Sequence, residues 1–199
     1  KVHMATTEKL LKAFELFDKA NNQDPNREEF QGKEYAKEVL YAIRMTNKLN
    51  SFAPKASEAM QLTARCQHIC RWEIPRDSYE MNRVGYLKWR QDLKKFHAAK
   101  ASEILKEVGY DDQTIHKVAF LLEKKQLKKN EETQTLEDVI CLVFLEYYFE
   151  PFALKYSEDK LIDILQKTWK KMSEKGQEAA LKLPLSKDAL TLVGKALNG

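Results

Sequence analysis

A chain of 199 residues with 43% hydrophobic and 32% charged side chains suits one domain that buries roughly 70% of the surface its unfolded form would expose, and it is too apolar to be disordered. The net charge of +4 is mild, and lysines are interspersed with acids, which speaks for solvated faces and against a nucleic-acid footprint. Three cysteines argue against a disulfide framework and for a reducing, cytoplasmic setting. No apolar run approaches the ~20 residues of a bilayer span, and no signal peptide opens the chain. Residues 1–3 ahead of Met4 read as an added leader, which sets His3 aside and leaves 4–199 as a single domain.

Only 6 glycines and 5 prolines among long stretches of Leu, Lys, Glu and Ala predict helices throughout. Thr6 or Thr7 can cap a first helix whose Leu10, Leu11, Phe14 and Phe17 recur at helical spacing, and the NNQDPN cluster at 21–26 ends it. A second helix is expected over 33–50, with Ala36, Val39, Leu40, Ile43 and Met45 facing inward. Pro54 separates it from a third, 56–71, whose exit Pro75 fixes because the residue before a proline avoids the helical region. Residues 74–85 read as a loop carrying Tyr79 and Met81. A long fourth helix, 86–108, ends at Gly109, a good C-cap. Along it Leu93, His97, Ala101, Ile104 and Val108 share one face at steps of three and four. Asp111 opens a fifth helix through Ile115, Val118, Leu121 and Leu122, and 124–130 is a lysine-rich connector. Thr133 can cap a sixth, TQTLEDVICLVFLEYYFEPF, the most apolar segment and the expected centre of the core. On it Asp138 shares a stripe with Cys141, Leu142, Leu145 and Phe149. Ser157 caps a seventh helix through Leu161, Ile162, Leu165 and Trp169, and short helical pieces complete the chain. No strand-like alternation or internal repeat is visible. The expected fold is all-α, a compact helical bundle.

The densest chemistry lies in 61–76, QLTARCQHICRWEIPR. Cys66, His68 and Cys70 suggest a metal clamp, but on a helix His68 projects roughly 200° from Cys66, and no second CxxC-type pair completes a structural zinc site. The cysteines read more simply as small buried residues. His97 and Asp138 each put a polar group on an apolar helical face, where each needs a partner. One reading is a His–Asp hydrogen bond inside the core. The other is a metal or phosphate site built from three helices, with His68, His97 and Asp138 as ligands and Glu137 beside them. A divalent metal held so, with positions left for water, would generate a hydroxide nucleophile.

Arg65, Arg71, Arg76 and Arg90, with Lys124 and Lys125, surround this region in the sequence, and arginine forks match phosphate oxygens bidentately. Pairing with Glu73, Asp77 and Asp92 along a charged rim is the alternative. Trp72, Tyr79, Tyr86 and Trp89 could stack a base or anchor the loop to the core. Lys160, Lys167, Lys170 and Lys171 read as a solvated face. There is no Gly-rich phosphate loop, HExxH or GxSxG elbow, so kinase, dinucleotide-binding, zincin and α/β-hydrolase readings fall away.

The segments QHICRWEIPRDSY, GYLKWRQDLKKFHAAKASEILKEVGY, LEDVICLVFLEYYF and EDKLIDILQKTWKKM resemble domain-of-unknown-function family 4202, over nearly the whole chain from about Ala5 to Leu185. Some members carry the label glutamyl-tRNA synthetase, but this chain has no Rossmann catalytic domain and no HIGH-like or KMSKS-like signature. The middle of the chain also resembles, distantly, the HD superfamily of metal-dependent phosphohydrolases. That resemblance implies an HD-like helical domain in which His68 matches the histidine of the His-Asp doublet, His97 the histidine of the next long helix and Asp138 the late acid. Ile69 stands where the doublet's aspartate belongs, the second helix offers no histidine as a first ligand, and Ile43 stands where an acidic residue is usual.

Two functions follow. The first is a metal-dependent phosphohydrolase of nucleotides or phosphate esters, with His68 and Asp138 catalytic, one divalent metal (Mn, Zn, Ni or Fe) on His68, His97 and Asp138, and Arg71 or Arg76 holding phosphate. The second is a non-catalytic module that keeps a degenerate HD-like pocket for a phosphorylated small molecule or nucleotide, or uses a surface to bind a protein or RNA. Of the partners, a phosphorylated small molecule or nucleotide is expected, and neither nucleic acid nor a membrane is.

Overall fold

The computed structural model describes residues 2–199, with side chains from Glu8 onward. The architecture is all-α, with one two-stranded hairpin as the only sheet among the described residues. The chain gathers into two compact units, one of residues up to Asn47 with Lys55–Lys125, the other of Lys48–Pro54 with Gln126–Gly199.

In the first unit, α1 (Val2–Asn21) begins earlier than expected, so Thr6 and Thr7 lie inside it rather than capping it. Its Ala13 and Phe17 are fully buried. The NNQDPN turn is closed by Asp24, whose carboxylate accepts from the backbone N–H of Asn26 (2.9 Å) and of Glu38 (3.0 Å). Between those two residues stands the hairpin, β1 (Arg27–Phe30) antiparallel to β2 (Lys33–Ala36). The expected helix over 33–50 therefore starts later, as α2 (Lys37–Phe52). Gln31 and Gly32 both take positive φ (50° and 77°), the two-residue turn whose twist matches paired strands. Strands of four residues this rich in charge carry too little alternation to register as a pattern.

Ser57 caps α3 (Glu58–Cys66) by accepting from the Met60 N–H. The helix stops five residues short of Arg71 because the backbone turns left-handed at Cys70 (φ 54°), whose N–H donates to the buried Asn21 side chain (3.0 Å). His68 thus sits on a turn and not on a helix face. Short 3-10 turns at Arg71–Glu73 and Arg76–Ser78 lead to α4 (Arg83–Val108), capped by Asn82. Gly85 is needed there, since a Cβ would come within 2.0 Å of the Glu80 carbonyl oxygen. Gly109 ends α4 in the left-handed conformation (φ 102°), and Asp111 caps α5 (Asp112–Leu122), both as the sequence predicts.

In the second unit, α6 (Glu131–Val143) is capped by Asn130, with Thr133 donating its N–H to that side chain. A π-helical segment, Phe144–Tyr148, joins it to α7 (Phe149–Ala153). Then come α8 (Glu158–Lys171), α9 (Glu174–Ala180) and α10 (Lys187–Asn198), opened by Ser157, Ser173 and Ser186. Leu142, Leu145, Phe149, Leu161, Leu165 and Met172 are among the buried side chains that form its core. The sixth segment supplies Cys141, Leu142, Leu145 and Phe149 to this core, though as α6, the π-helical segment and α7 and not as one continuous helix.

Candidate ligand-binding site

The two histidines singled out from the sequence meet in the first unit. The turn after α3 carries His68 and α4 carries His97, with ring centroids 6.1 Å apart. Tyr41 of α2 stacks flat on His68 at 3.9 Å. Glu38, one turn earlier on the same helix, places its carboxylate 3.5 Å from His68 Nδ1. His97 is buried, and its Nδ1 lies 2.9 Å from the Ile69 carbonyl oxygen. A carbonyl can only accept, so Nδ1 bears the proton and Nε2 keeps its lone pair. The backbone of Ile69 is thus what fixes the His97 ring.

Burial, reinforced by His68 and Arg71, pushes His97 down to about 3. His68 is held well below its ordinary value by desolvation first and then by the charges of Arg71, Arg90 and Lys124. Both rings are therefore neutral at physiological pH. Burial raises the Glu38 carboxyl, against the opposing pull of Arg71 and Lys37. The Arg71 guanidinium stands 3.3 Å from both ring nitrogens of His68 and rests on the Trp89 indole at 5.1 Å.

The remaining basic and aromatic candidates divide. Arg65 is turned away from any ligand role, because its fork donates to Asp18 at 2.9 and 2.7 Å while it lies over Phe14. Arg76 donates to the carbonyls of Glu80 and Asn82 and lies over the Tyr86 and Trp89 rings. Arg90 makes a 3.4 Å contact to the Tyr86 hydroxyl and stacks on that ring. Lys124 acts on His68 from the start of the connector. Tyr79 donates to Asp92 at 2.6 Å, and Trp89 donates its indole N–H to the Ile74 carbonyl, so both anchor the loop. Trp72 is half-buried in the turn. Asp92 pairs with Lys88 at 3.2 Å and accepts from Tyr79, and Glu73 engages Cys70, so neither meets the arginines singled out from the sequence.

Asp138 belongs to the second unit and has other work. Its carboxylate accepts from the Ser173 N–H (2.8 Å), the Ser173 hydroxyl and the Gln134 amide (3.0 Å). A Cβ on Gly176 would stand 2.6 Å from that carboxylate. Asp138 therefore orients the cap of α9, an anchoring role that satisfies a buried carboxylate without a histidine. Among the described residues no group of three or more His, Cys, Asp or Glu side chains is arranged to hold a metal ion.

Sequence reasoning passed over Glu38 and Tyr41. The signal was there, since Glu38, Tyr41, Ala42 and Met45 are all buried on one stripe of α2, and a lone acid on such a stripe needs a partner. A helix begun at Lys33 hides it among the charged residues that open the segment.

An all-α fold with a histidine–arginine cluster is what the geometry defines, and no helix among the described residues is long and apolar enough to cross a membrane. The model of the domain of unknown function DUF4202 matches residues 11–193. The chain belongs to that family, as its long sequence motifs imply. No curated protein and no solved structure matches it.

Proposed function

We propose that the first unit binds a phosphorylated small molecule or nucleotide at the His68 pocket, as a binding module rather than a metal-dependent phosphohydrolase. Arg71 carries this reading. It is half-buried against a neutral imidazole and an indole face, and among the described residues it makes no ion pair with a carboxylate. A cation so placed, with Arg90 close enough to act on the same ring and the buried Glu38 as the acid it faces, is short of counter-charge. A phosphate supplies it, and the guanidinium fork matches its oxygens. Burial raises the Glu38 carboxyl, which lessens its repulsion of such an oxygen.

The donor set does not suit a resident divalent metal. Arg71 sets a positive charge against both His68 nitrogens, and Asp138, the expected third ligand, is saturated by Ser173 and Gln134. An HD-like ancestry would account for the two histidines in one pocket, with the hydrolytic set lost. A cytoplasmic setting is part of the same proposal, supported by Cys66, Cys70 and Cys141 as buried thiols not joined in disulfides.

Calorimetric titration with inorganic phosphate tests the reading. Wild type should bind, and Arg71→Ala should weaken binding by about tenfold or more, the worth of a charge-assisted hydrogen bond, with helical circular dichroism unchanged. Equal affinity in the variant would sink the proposal. Elemental analysis after loading with manganese, zinc, nickel or iron provides the counter-test: stoichiometric metal that disappears in His97→Ala would replace this reading with the phosphohydrolase.

A further inference from the structure

The arginines beside the pocket are arranged in a row. Trp89 and Tyr86 are 6.1 Å apart. Arg71 lies over Trp89 at 5.1 Å, Arg76 over both rings at 6.0 and 5.9 Å, and Arg90 over Tyr86 at 6.0 Å. Three guanidiniums thus share two aromatic faces that fix their planes while leaving N–H edges for other partners.

None of the three is ion-paired to a carboxylate among the described residues. Arg76 is held by backbone carbonyls and Arg90 by a phenol. Of the acids nearby, Asp92 is engaged by Tyr79 and Lys88 and Glu80 by the Asn82 amide, while the buried Glu38 acts on Arg71. Like charges gathered on one platform repel, and an anion that spans the row relieves that repulsion. A single phosphate at His68 is matched by Arg71 and one neighbour, which leaves charge over.

We infer that the pocket selects a ligand with at least two linked phosphates, the first against Arg71 and His68 and the next against Arg90, with Arg76 adding charge from the platform. The inference rests on the phosphate reading above and adds a specificity residue, Arg90, to it. Tyr86, 41% exposed, leaves that second position open to solvent, so it can accept a chain of phosphates longer than the inner pocket would.

Titration of wild type, Arg90→Ala and Arg90→Lys with inorganic phosphate, pyrophosphate and tripolyphosphate at constant ionic strength tests this. Pyrophosphate should bind wild type about tenfold or more tightly than phosphate. Arg90→Ala should remove that gain, costing pyrophosphate far more affinity than it costs phosphate, and Arg90→Lys, a point charge without the fork, should restore only part of it. Phosphate binding with no gain for pyrophosphate, or an equal loss of both in Arg90→Ala, would overturn the inference and leave the phosphate pocket standing. Failure of every anion to bind overturns both. A single-stranded RNA that binds more tightly than pyrophosphate, with Arg90-dependent and steeply salt-sensitive affinity, would overturn the small-ligand assignment in favour of a nucleic-acid face.

Discussion

His97 shows how one buried ring ties the pocket to stability. Its folded value of about 3 lies below the ordinary 6.5. Above pH 6.5 both folded and unfolded chains carry it neutral, so its contribution is fully present there. As pH falls from 6.5 toward 3 the unfolded chain takes up a proton that the folded chain refuses, and stability is lost. Over the whole window the loss amounts to about 4 kcal/mol. Glu38 acts in the opposite sense: its raised carboxyl is protonated first in the folded chain, which offsets part of the loss near and above its ordinary value of 4.5. Urea unfolding at neutral pH and at pH 4.5 should therefore show a marked fall in wild type. The fall should be smaller in His97→Asn, whose amide can still donate to the Ile69 carbonyl. Identical pH slopes in the two proteins would assign the acid sensitivity to other groups.

Among the elements, α9 depends on a contact that the sequence suggested for a different purpose. Asp138 on α6 receives the N–H and hydroxyl of Ser173, the α9 cap, and Gly176 in the first turn leaves room for the carboxylate. Asp138→Ala strands buried donors and should cost about 2–3 kcal/mol in unfolding free energy. Gly176→Ala drives a methyl into the carboxylate and should cost about 2 kcal/mol. The two are coupled, because removing the carboxylate removes the clash. In the double variant the cost of Gly176→Ala should nearly vanish. Strict additivity in a chemical-denaturation cycle would show that the close approach is not what requires glycine. Phosphate affinity measured on Asp138→Ala is the companion readout, and it should stay unchanged if Asp138 serves α9 alone.

For the whole molecule, a ligand that binds only the folded chain raises its stability by mass action, about 2.7 kcal/mol at a concentration one hundred times its dissociation constant. Saturating pyrophosphate should accordingly raise the melting transition that carries the first unit in differential scanning calorimetry. The increase should be absent in Arg71→Ala. An equal increase in that variant would place the anion somewhere other than the His68 pocket.

Much of this protein is determined by local chemistry and could be read without coordinates. Helical spacing of apolar residues, the serine and aspartate caps at Ser157 and Asp111, and Gly109 as a stop all act within a few residues, so the sequence determined the all-α class and most helix positions. It also drew attention to His68 and His97, because a polar group on or beside an apolar stripe has to find a partner. The partner is what only the tertiary structure decided. His97 bonds to the Ile69 carbonyl, a backbone group that no side-chain pattern reveals. Asp138 bonds to Ser173, 35 positions away, although it carries the same sequence signal as His97. The turn that follows α3 is held by the Asn21 side chain, 49 positions from Cys70, and it is this turn that carries His68 beside Glu38, Tyr41 and Arg71. Periodicity tells which residues must be buried; which buried groups meet is settled by packing between segments far apart in the chain.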